Sequence, residues 1–300
     1  MKIVVIGRLG QVAWELQREL ACLGEVIAID RNTKPYAIDL LDNDTITKTI
    51  AALAPDLVIN AAAYTAVDKA EQEPAVAEQI NGNALGVLAE SVKICGASLV
   101  HYSTDYVFNG SSDKAYTETH PTGPQGVYGK SKVLGEQAII DSGVDYLIFR
   151  TAWVYGLRGQ NFLRTMLRLM QERETLGIVG DQIGSPTWSR QIALSTALIL
   201  ARITHNKRLE LKEHSGIFNL TCAGQTSWYD FAKEIYDLGQ QLGILKHNVT
   251  LNKITTSDYP TPAKRPAYSV LSGEKLYHRF GIKLPKWQKA LELCLTEYPQ

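Results

Sequence analysis

Tyr128 and Lys132 stand four residues apart in Tyr-Gly-Lys-Ser-Lys, a spacing that puts both on one helix face, one turn from each other. A free tyrosine titrates near ~10 and is a reluctant acid or base at neutral pH, but a fixed neighbouring ammonium favours the phenolate and lowers that value. Such a pair is a tunable proton donor. Upstream, Ser103-Thr104-Asp105-Tyr106 supplies a hydroxyl, on Thr104, that can hold a substrate carbonyl against the phenol and complete a site for reducing a ketone to an alcohol. By itself Tyr-x-x-x-Lys is equally an ordinary exposed helix pair, so its meaning depends on the elements that position it.

Residues 2–6 form a short apolar run rich in Ile and Val, closed by Gly7; beyond Gly10, Val12, Leu16 and Leu20 recur four apart. This predicts strand, turn, helix. Gly7-Arg8-Leu9-Gly10-Gln11-Val12-Ala13 fits the glycine-rich turns that let backbone approach a dinucleotide pyrophosphate at a helix N-terminus. The spacing departs from strict G-x-G-x-x-G, which leaves a plain strand-to-helix turn as the alternative. Residues 26–29 form the next apolar run and end at Asp30, about twenty residues beyond the turn, where a carboxylate meets an adenosine ribose. Asp30 favours NADH, whereas Arg31 directly after it can pair with the 2′-phosphate of NADPH, so the sequence predicts use of both.

Short apolar runs at 2–6, 26–29, 57–60, 98–102 and 146–149 alternate with helical patterns, which predicts an α/β fold built on a Rossmann-type doubly wound parallel sheet. Such sheets bind ligands at their carboxyl ends, where Gly7, Asp30, Ala61-Ala62-Ala63 and Ser103-Thr104-Asp105 all fall. The small side chains of 61–63 suit either a cofactor lying against backbone or tight helix-to-sheet packing. Asp39-Leu40 can contact an adenine ring, or Asp39 can cap the following helix. Residues 109–126, rich in Gly, Pro, Ser, Asp and Thr, read as a long surface loop able to fold over a substrate.

Residues 1–150 are expected to form the dinucleotide-binding domain, with about 190–222 returning to it. The remainder, 151–300, reads mostly as a smaller, irregular α/β substrate-binding domain, with helices at about 161–173 and 227–242 and a proline-punctuated stretch at 259–266. Trp153 and Arg265 stand out there, as a stacking platform for a base or sugar and a guanidinium for a diphosphate. A packing aromatic and a surface cation are the plainer alternatives.

Thirty-one basic residues balance 31 acidic ones without long runs of either sign, so no footprint for nucleic acid or an anionic membrane exists. Cys22, Cys95, Cys222 and Cys294 are far apart in apolar or helical surroundings, which predicts buried reduced thiols. No stretch approaches the ~20 apolar residues of a membrane span, and a strand begins at once, leaving no room for a signal peptide. A cytoplasmic location is expected.

The glycine turn, Ser103-Thr104-Asp105-Tyr106-Val107-Phe108 and the Tyr128/Lys132 pair resemble the extended short-chain dehydrogenase/reductases. Together with the segments 60–71, 149–155 and 181–187, the chain resembles the dTDP-4-dehydrorhamnose reductase family over essentially its whole length. The resemblance implies reduction of the 4-keto group of dTDP-4-dehydro-L-rhamnose by NADPH or NADH, feeding rhamnose-containing cell-surface polysaccharides. It implies that Tyr128 is the general acid, that Lys132 holds Tyr128 and the nicotinamide ribose, and that Thr104 orients the proton transfer. Gly7, Gly10, Gln11, Val12, Asp30, Arg31, Asp39, Leu40, Ala63, Tyr64 and Thr65 would bind the cofactor, and Thr104, Asp105, Trp153 and Arg265 the dTDP-sugar. Arg8-Leu9 and Ala13 depart from the family's glycine turn.

Some members of the family form homodimers bridged by a divalent metal, Mg2+ for example, on helix glutamates. Glu15 and Glu292 are candidate ligands, but Arg190 stands where another acid is expected, and no metal is assigned. Two other classes share the resemblance: a non-catalytic regulatory subunit like the beta subunit of methionine adenosyltransferase, and a sugar-nucleotide epimerase or dehydratase. The intact Thr104, Tyr128 and Lys132 set favours a reductase over the first, and consumption of cofactor separates it from the second.

Overall fold

The computed structural model describes residues 1–206 and 208–299. Apolar, β-branched runs buried on both faces become the central strands β1 (Lys2–Ile6), β2 (Glu25–Ile29), β3 (Leu57–Asn60), β4 (Ser98–Thr104) and β5 (Tyr146–Thr151). A sixth strand that periodicity did not single out, β6 (Gly216–Asn219), pairs in parallel with β5. All neighbours are parallel, in the order β6-β5-β4-β3-β1-β2. The chain runs from β1 outward to β2 and then returns to the opposite side of β1. The crevice between β1 and β3 is thus the topological switch point, where open α/β sheets take their ligands.

Helices α1 (Gln11–Glu19), α2 (Asn43–Leu53), α3 (Ala84–Ile94) and α4 (Val127–Ser142) follow β1, β2, β3 and β4. One sheet face is closed by an apolar cluster that includes Val4, Ile50, Leu88 and Ile139, beneath α2, α3 and α4. On the opposite face α1 packs against α6 (Ser189–Arg202), and there the Tyr102 and Thr196 hydroxyls are 2.8 Å apart. That face's cluster continues from Ile3 and Leu16 to Phe231 and Leu291, so the sheet and the later half share one core. Between β5 and α6, α5 (Phe162–Glu172) starts at Asn161, whose side chain accepts from the Arg164 N–H.

The later chain adds α7 (Trp228–Gln241), capped by Ser227, and α8 (Trp287–Thr296). Short strands join these pieces, Thr175–Val179 with Thr250–Ile254 and Val154–Tyr155 with Thr187–Trp188. They place 181–187 and 256–265 beside the carboxyl ends of the central strands.

Two expectations change. The stretch 109–126 is pinned at its middle: Tyr116 is 3% exposed, stacks on Phe108, donates its N–H to the Val270 carbonyl and accepts from Ser272 N–H and Asn219 Nδ2. A segment with buried backbone bonds of this kind is held as scaffold, and opening it as a lid would break them. The four cysteines are free thiols, but Cys22 is exposed and Cys95 half-buried, because the first lies in the turn after α1 and the second at the end of α3. Among the described residues, no helix is long and apolar enough to cross a membrane.

Candidate active site

Pairing of Thr104 with Thr151 carries β4 two residues beyond its apolar run, so the strand itself delivers Thr104 to its carboxyl end. There a single-turn helix, Asp105–Val107, is capped by the Thr104 hydroxyl, which accepts from Tyr106 N–H at 3.2 Å and donates to Asp105 Oδ1 at 3.0 Å. Tyr128 arrives from the first turn of α4. The Glu71 carboxylate accepts the Val127 N–H at 2.8 Å and so fixes that helix end. Gly129 permits close approach, since a Cβ there would stand 2.3 Å from the Tyr106 carbonyl oxygen. The Tyr106 and Tyr128 rings meet edge to face at 5.5 Å.

Burial holds the Tyr128 phenol above the usual tyrosine range, with the Thr104 hydroxyl opposing the shift. Here the structure corrects the expectation of an ammonium beside the phenol. The Lys132 amine turns inward, 2.9 Å from His101 Nε2 and 2.6 Å from the Tyr102 carbonyl, and does not lower the tyrosine. One helix face places the two Cα atoms in register, but the lysine stem is long enough to follow the buried strand instead. Burial also pulls Lys132 down to about 7, despite Glu136 on the next turn.

Arg150 on β5 takes that glutamate in two bonds, Nε to Oε1 at 2.9 Å and Nη2 to Oε2 at 2.6 Å, which ties α4 to the sheet. Asp105 is buried and its Oδ2 has no hydrogen-bond partner; burial pushes its carboxyl up to about 6.

The glycine turn lies at the switch point. Gly7 has φ +98°, and a Cβ on it would sit 3.0 Å from the Ala62 nitrogen, so the turn presses on the backbone after β3 and only glycine fits. Gly10 precedes α1 without a side-chain cap, leaving the helix N–H groups at Gln11 and Val12 available to an anion. Gln11 accepts from Asn161 Nδ2, linking the turn to 156–161. Asp30 accepts from Asn32 N–H and the Thr33 hydroxyl and lies 3.6 Å from the Arg8 guanidinium. Against the cost of burial, these partners hold it below its ordinary value.

Arg31 is exposed in the turn beyond. Asp39 accepts from Leu41 N–H, while the cap of α2 is Asp42, which overturns the alternative reading of Asp39 as that cap. Leu40 is buried in the core under the turn.

Sequence reasoning missed three residues. Asn81 sits in a π-turn, 79–83, and bonds both backbone groups of Tyr64 and the Ser131 hydroxyl of α4. It thereby fixes the 63–65 segment relative to the Tyr128 helix. Trp228 lies flat on Trp153, rings 3.4 Å apart and 4° from parallel. The third is His101, paired with Lys132. None carries a motif; an isolated Asn, Trp or His in an amphipathic pattern gives no signal of what it will touch.

Trp153 has φ +47° and also packs on Gly184, where a Cβ would stand 2.4 Å from its ring. It therefore supports Trp228, and it is Trp228 that lines a cleft of about 580 Å³ with Phe162, Met166, Gln182 and Arg265. At the cleft's edge the Arg265 guanidinium binds Asp68 at 2.7 Å and stands 3.4 Å from the Tyr106 hydroxyl. Cleft and phenol are thus joined through Arg265 and Tyr106.

The helix carboxylates do not fit a dication. Arg190 spans Glu15, at 3.2 Å, and Glu297, while Glu292 pairs with Lys289 at 2.9 Å. A guanidinium already neutralises the site where the third acid would stand.

The profile of the family described as RmlD substrate binding domain matches residues 1–300. The chain belongs to this family. A dTDP-4-dehydrorhamnose reductase of Burkholderia thailandensis is 50% identical over 99% of both chains. Another, of Salmonella typhimurium, is 43% identical over 99% of this chain and 98% of its own. Among solved structures, a dTDP-4-dehydrorhamnose reductase of Bacillus anthracis in complex with NADP superposes with a TM-score of 0.87, at 31% identity over 99% of each chain. A Thermus thermophilus UDP-glucose 4-epimerase with NAD shares the fold at 18% identity, TM-score 0.80, over 99% of this chain and 98% of its own. The RmlD family thus places the Thr104 and Tyr128 cluster in a chain matched end to end by reductases.

Proposed function

We propose that this protein reduces the 4-keto group of dTDP-4-dehydro-L-rhamnose to dTDP-L-rhamnose with NADPH or NADH. The observation that carries the reading is the meeting of Thr104, Asp105 and Tyr128 at the end of β4, joined through Tyr106 and Arg265 to a nucleotide-sized cleft. Gly7, Gly10, Gln11 and Val12 hold the cofactor pyrophosphate, Asp30 with Arg8 or Arg31 meets the adenosine ribose, and Ala63, Tyr64 and Thr65 border its path. Asp39 and Leu40 lie near the adenine. Bound there, the cofactor supplies a hydride to the carbonyl carbon. Tyr128 gives its proton to the carbonyl oxygen, and Thr104 orients that oxygen.

Arg265 pairs with the diphosphate, exchanging Asp68 for it, and Asp105 accepts from a sugar hydroxyl with its free oxygen. Incubation with dTDP-4-dehydro-L-rhamnose and reduced cofactor should consume the two stoichiometrically and yield dTDP-L-rhamnose. Turnover of sugar without net loss of reduced cofactor would mean an epimerase or dehydratase instead, and no turnover would favour a binding role.

The aromatic pair gives a separate test. Trp228→Ala should weaken dTDP-sugar binding by roughly 5- to 140-fold, the range for a base stacked on an aromatic side chain, and leave NADPH binding unchanged. Trp153→Ala should do the same, because it removes the support beneath Trp228. Titration calorimetry of each ligand separately decides it; equal losses for both ligands would make the pair core packing alone.

Cofactor preference tests the ribose corner. Arg31→Ala should reduce kcat/KM with NADPH far more than with NADH, and Asp30→Ala should do the reverse. Because Arg8 leans on Asp30, its loss is the next measurement: an unchanged ratio in Arg31→Ala and a changed one in Arg8→Ala would assign the phosphate to Arg8.

A further inference from the structure

His101 lies in the middle of β4, 1% exposed, between Asn60 on β3 and Lys132 on α4. The orientation of Asn60 is fixed, because the Ala62 N–H donates to its Oδ1 at 3.1 Å. Its amide NH2 therefore faces His101 Nδ1, at 3.2 Å, and that nitrogen must accept. In a neutral imidazole the only proton is then on Nε2, which points at the Lys132 amine 2.9 Å away. An ammonium has no lone pair and would set hydrogen against hydrogen. A neutral amine can accept from Nε2 and still donate to the Tyr102 carbonyl at 2.6 Å. In that state each contact along this buried chain pairs one donor with one acceptor, which an ammonium would not allow.

We propose that Asn60 and His101 are positioning residues that hold Lys132 as a neutral amine in the ligand-free protein, so that binding of the nicotinamide cofactor is coupled to uptake of one proton by Lys132. Protonation removes the lone pair that holds the amine to His101. The lysine is then released from its resting place and turns toward the ribose hydroxyls and Tyr128. The proton comes from solvent, and His101 keeps its own throughout.

The other charged groups facing this lysine do not undo the argument. Glu136 on α4 would favour the ammonium but is held in two bonds by Arg150 of β5, and Tyr128 is neutral in the free protein. On the opposite side of the sheet the Tyr102 phenol is engaged with Thr196. Burial of the amine works in the same direction as the hydrogen-bond pattern.

The inference rests on the reductase reading proposed above and on the nicotinamide-ribose role that the family resemblance implies for Lys132. Its test is calorimetric titration of NADPH at about pH 8 in buffers of different ionisation enthalpy, which counts protons taken up on binding. Wild type should take up close to one proton per NADPH. In Asn60→Asp the carboxylate accepts from Nδ1, the tautomer flips, Nε2 becomes an acceptor, and Lys132 rests as an ammonium. Uptake should then fall below about half a proton. His101→Gln, whose side-chain oxygen also accepts from an ammonium, should behave alike and serves if the first variant does not fold.

A merely structural role would weaken binding while leaving the proton count where it was, and that result, or no uptake in wild type, would overturn the proposal. The nitrogen-15 spectrum of His101 in the free protein should show Nε2–H with bare Nδ1, and an imidazolium or the opposite tautomer would also overturn it. Full turnover in Tyr128→Phe would instead sink the active-site reading while leaving this proton count untouched.

Discussion

Tyr128→Phe is expected to lower turnover by a factor on the order of 10² to 10⁴, the contribution of a positioned general acid, with cofactor affinity nearly unchanged. Phenylalanine keeps the ring that packs edge to face on Tyr106 and the backbone of the first turn of α4, so the site keeps its shape. What goes is the single hydroxyl beside Thr104 from which the carbonyl oxygen takes its proton. Because the phenol sits above the usual tyrosine range in the free protein, it is protonated across the neutral range and ready as an acid; its difficulty is in releasing the proton. A charged Lys132 drawn toward it would relieve that. Single-turnover kinetics with saturating cofactor is the measurement, and a rate within about threefold of wild type would remove Tyr128 from the role of acid.

Lys132→Met should have the next largest effect, lowering turnover and NADPH affinity together, because the proposed role has one amine serve both the ribose and the phenol once cofactor is bound. It also carries a stability signature of known sign. The folded protein holds Lys132 down to about 7, whereas an unfolded lysine keeps its proton to about 10.5. Between those values the unfolded state binds more protons, so wild-type stability gains with rising pH a contribution that the methionine variant lacks.

Below about 7 the full cost of burying the ammonium is present, and it is lifted progressively toward about pH 10. The difference in Tm, variant minus wild type, should therefore shrink as pH rises through that window. Thermal melts of both proteins across it are the check. A constant difference would mean that Lys132 does not change protonation on folding.

How the chain folds was largely legible because periodicity is a local property. Five of the six central strands follow from apolar runs whose both faces must be buried, and the strand-glycine-helix start follows from Gly7, which no other residue could replace against the backbone of Ala62. The sequence likewise marks Thr104, Tyr128 and Lys132 as candidates, because hydroxyl, phenol and amine at those spacings have few other joint uses. β6 was not legible: Gly216–Asn219 is four residues long and follows no clear pattern, and it becomes a strand only because β5 offers it an edge.

Tertiary structure alone decided what each candidate touches. Tyr128 and Lys132 share a helix face in sequence, yet the amine goes to His101 and the Tyr102 carbonyl, because a flexible stem in a dry interior follows the nearest unmet acceptor and donor. Trp153 reads as a free platform until Trp228, from a helix 75 positions further on, covers its face. Arg265 meets Asp68, and Asn81 clamps Tyr64 to α4, across separations that no pattern encodes. Residue types and spacings therefore pointed to proton and hydride transfer at the end of β4, with a binding subunit as the other reading they left open. Side-chain reach, burial and the counting of donors against acceptors, all properties of the folded interior, decided which groups each candidate meets.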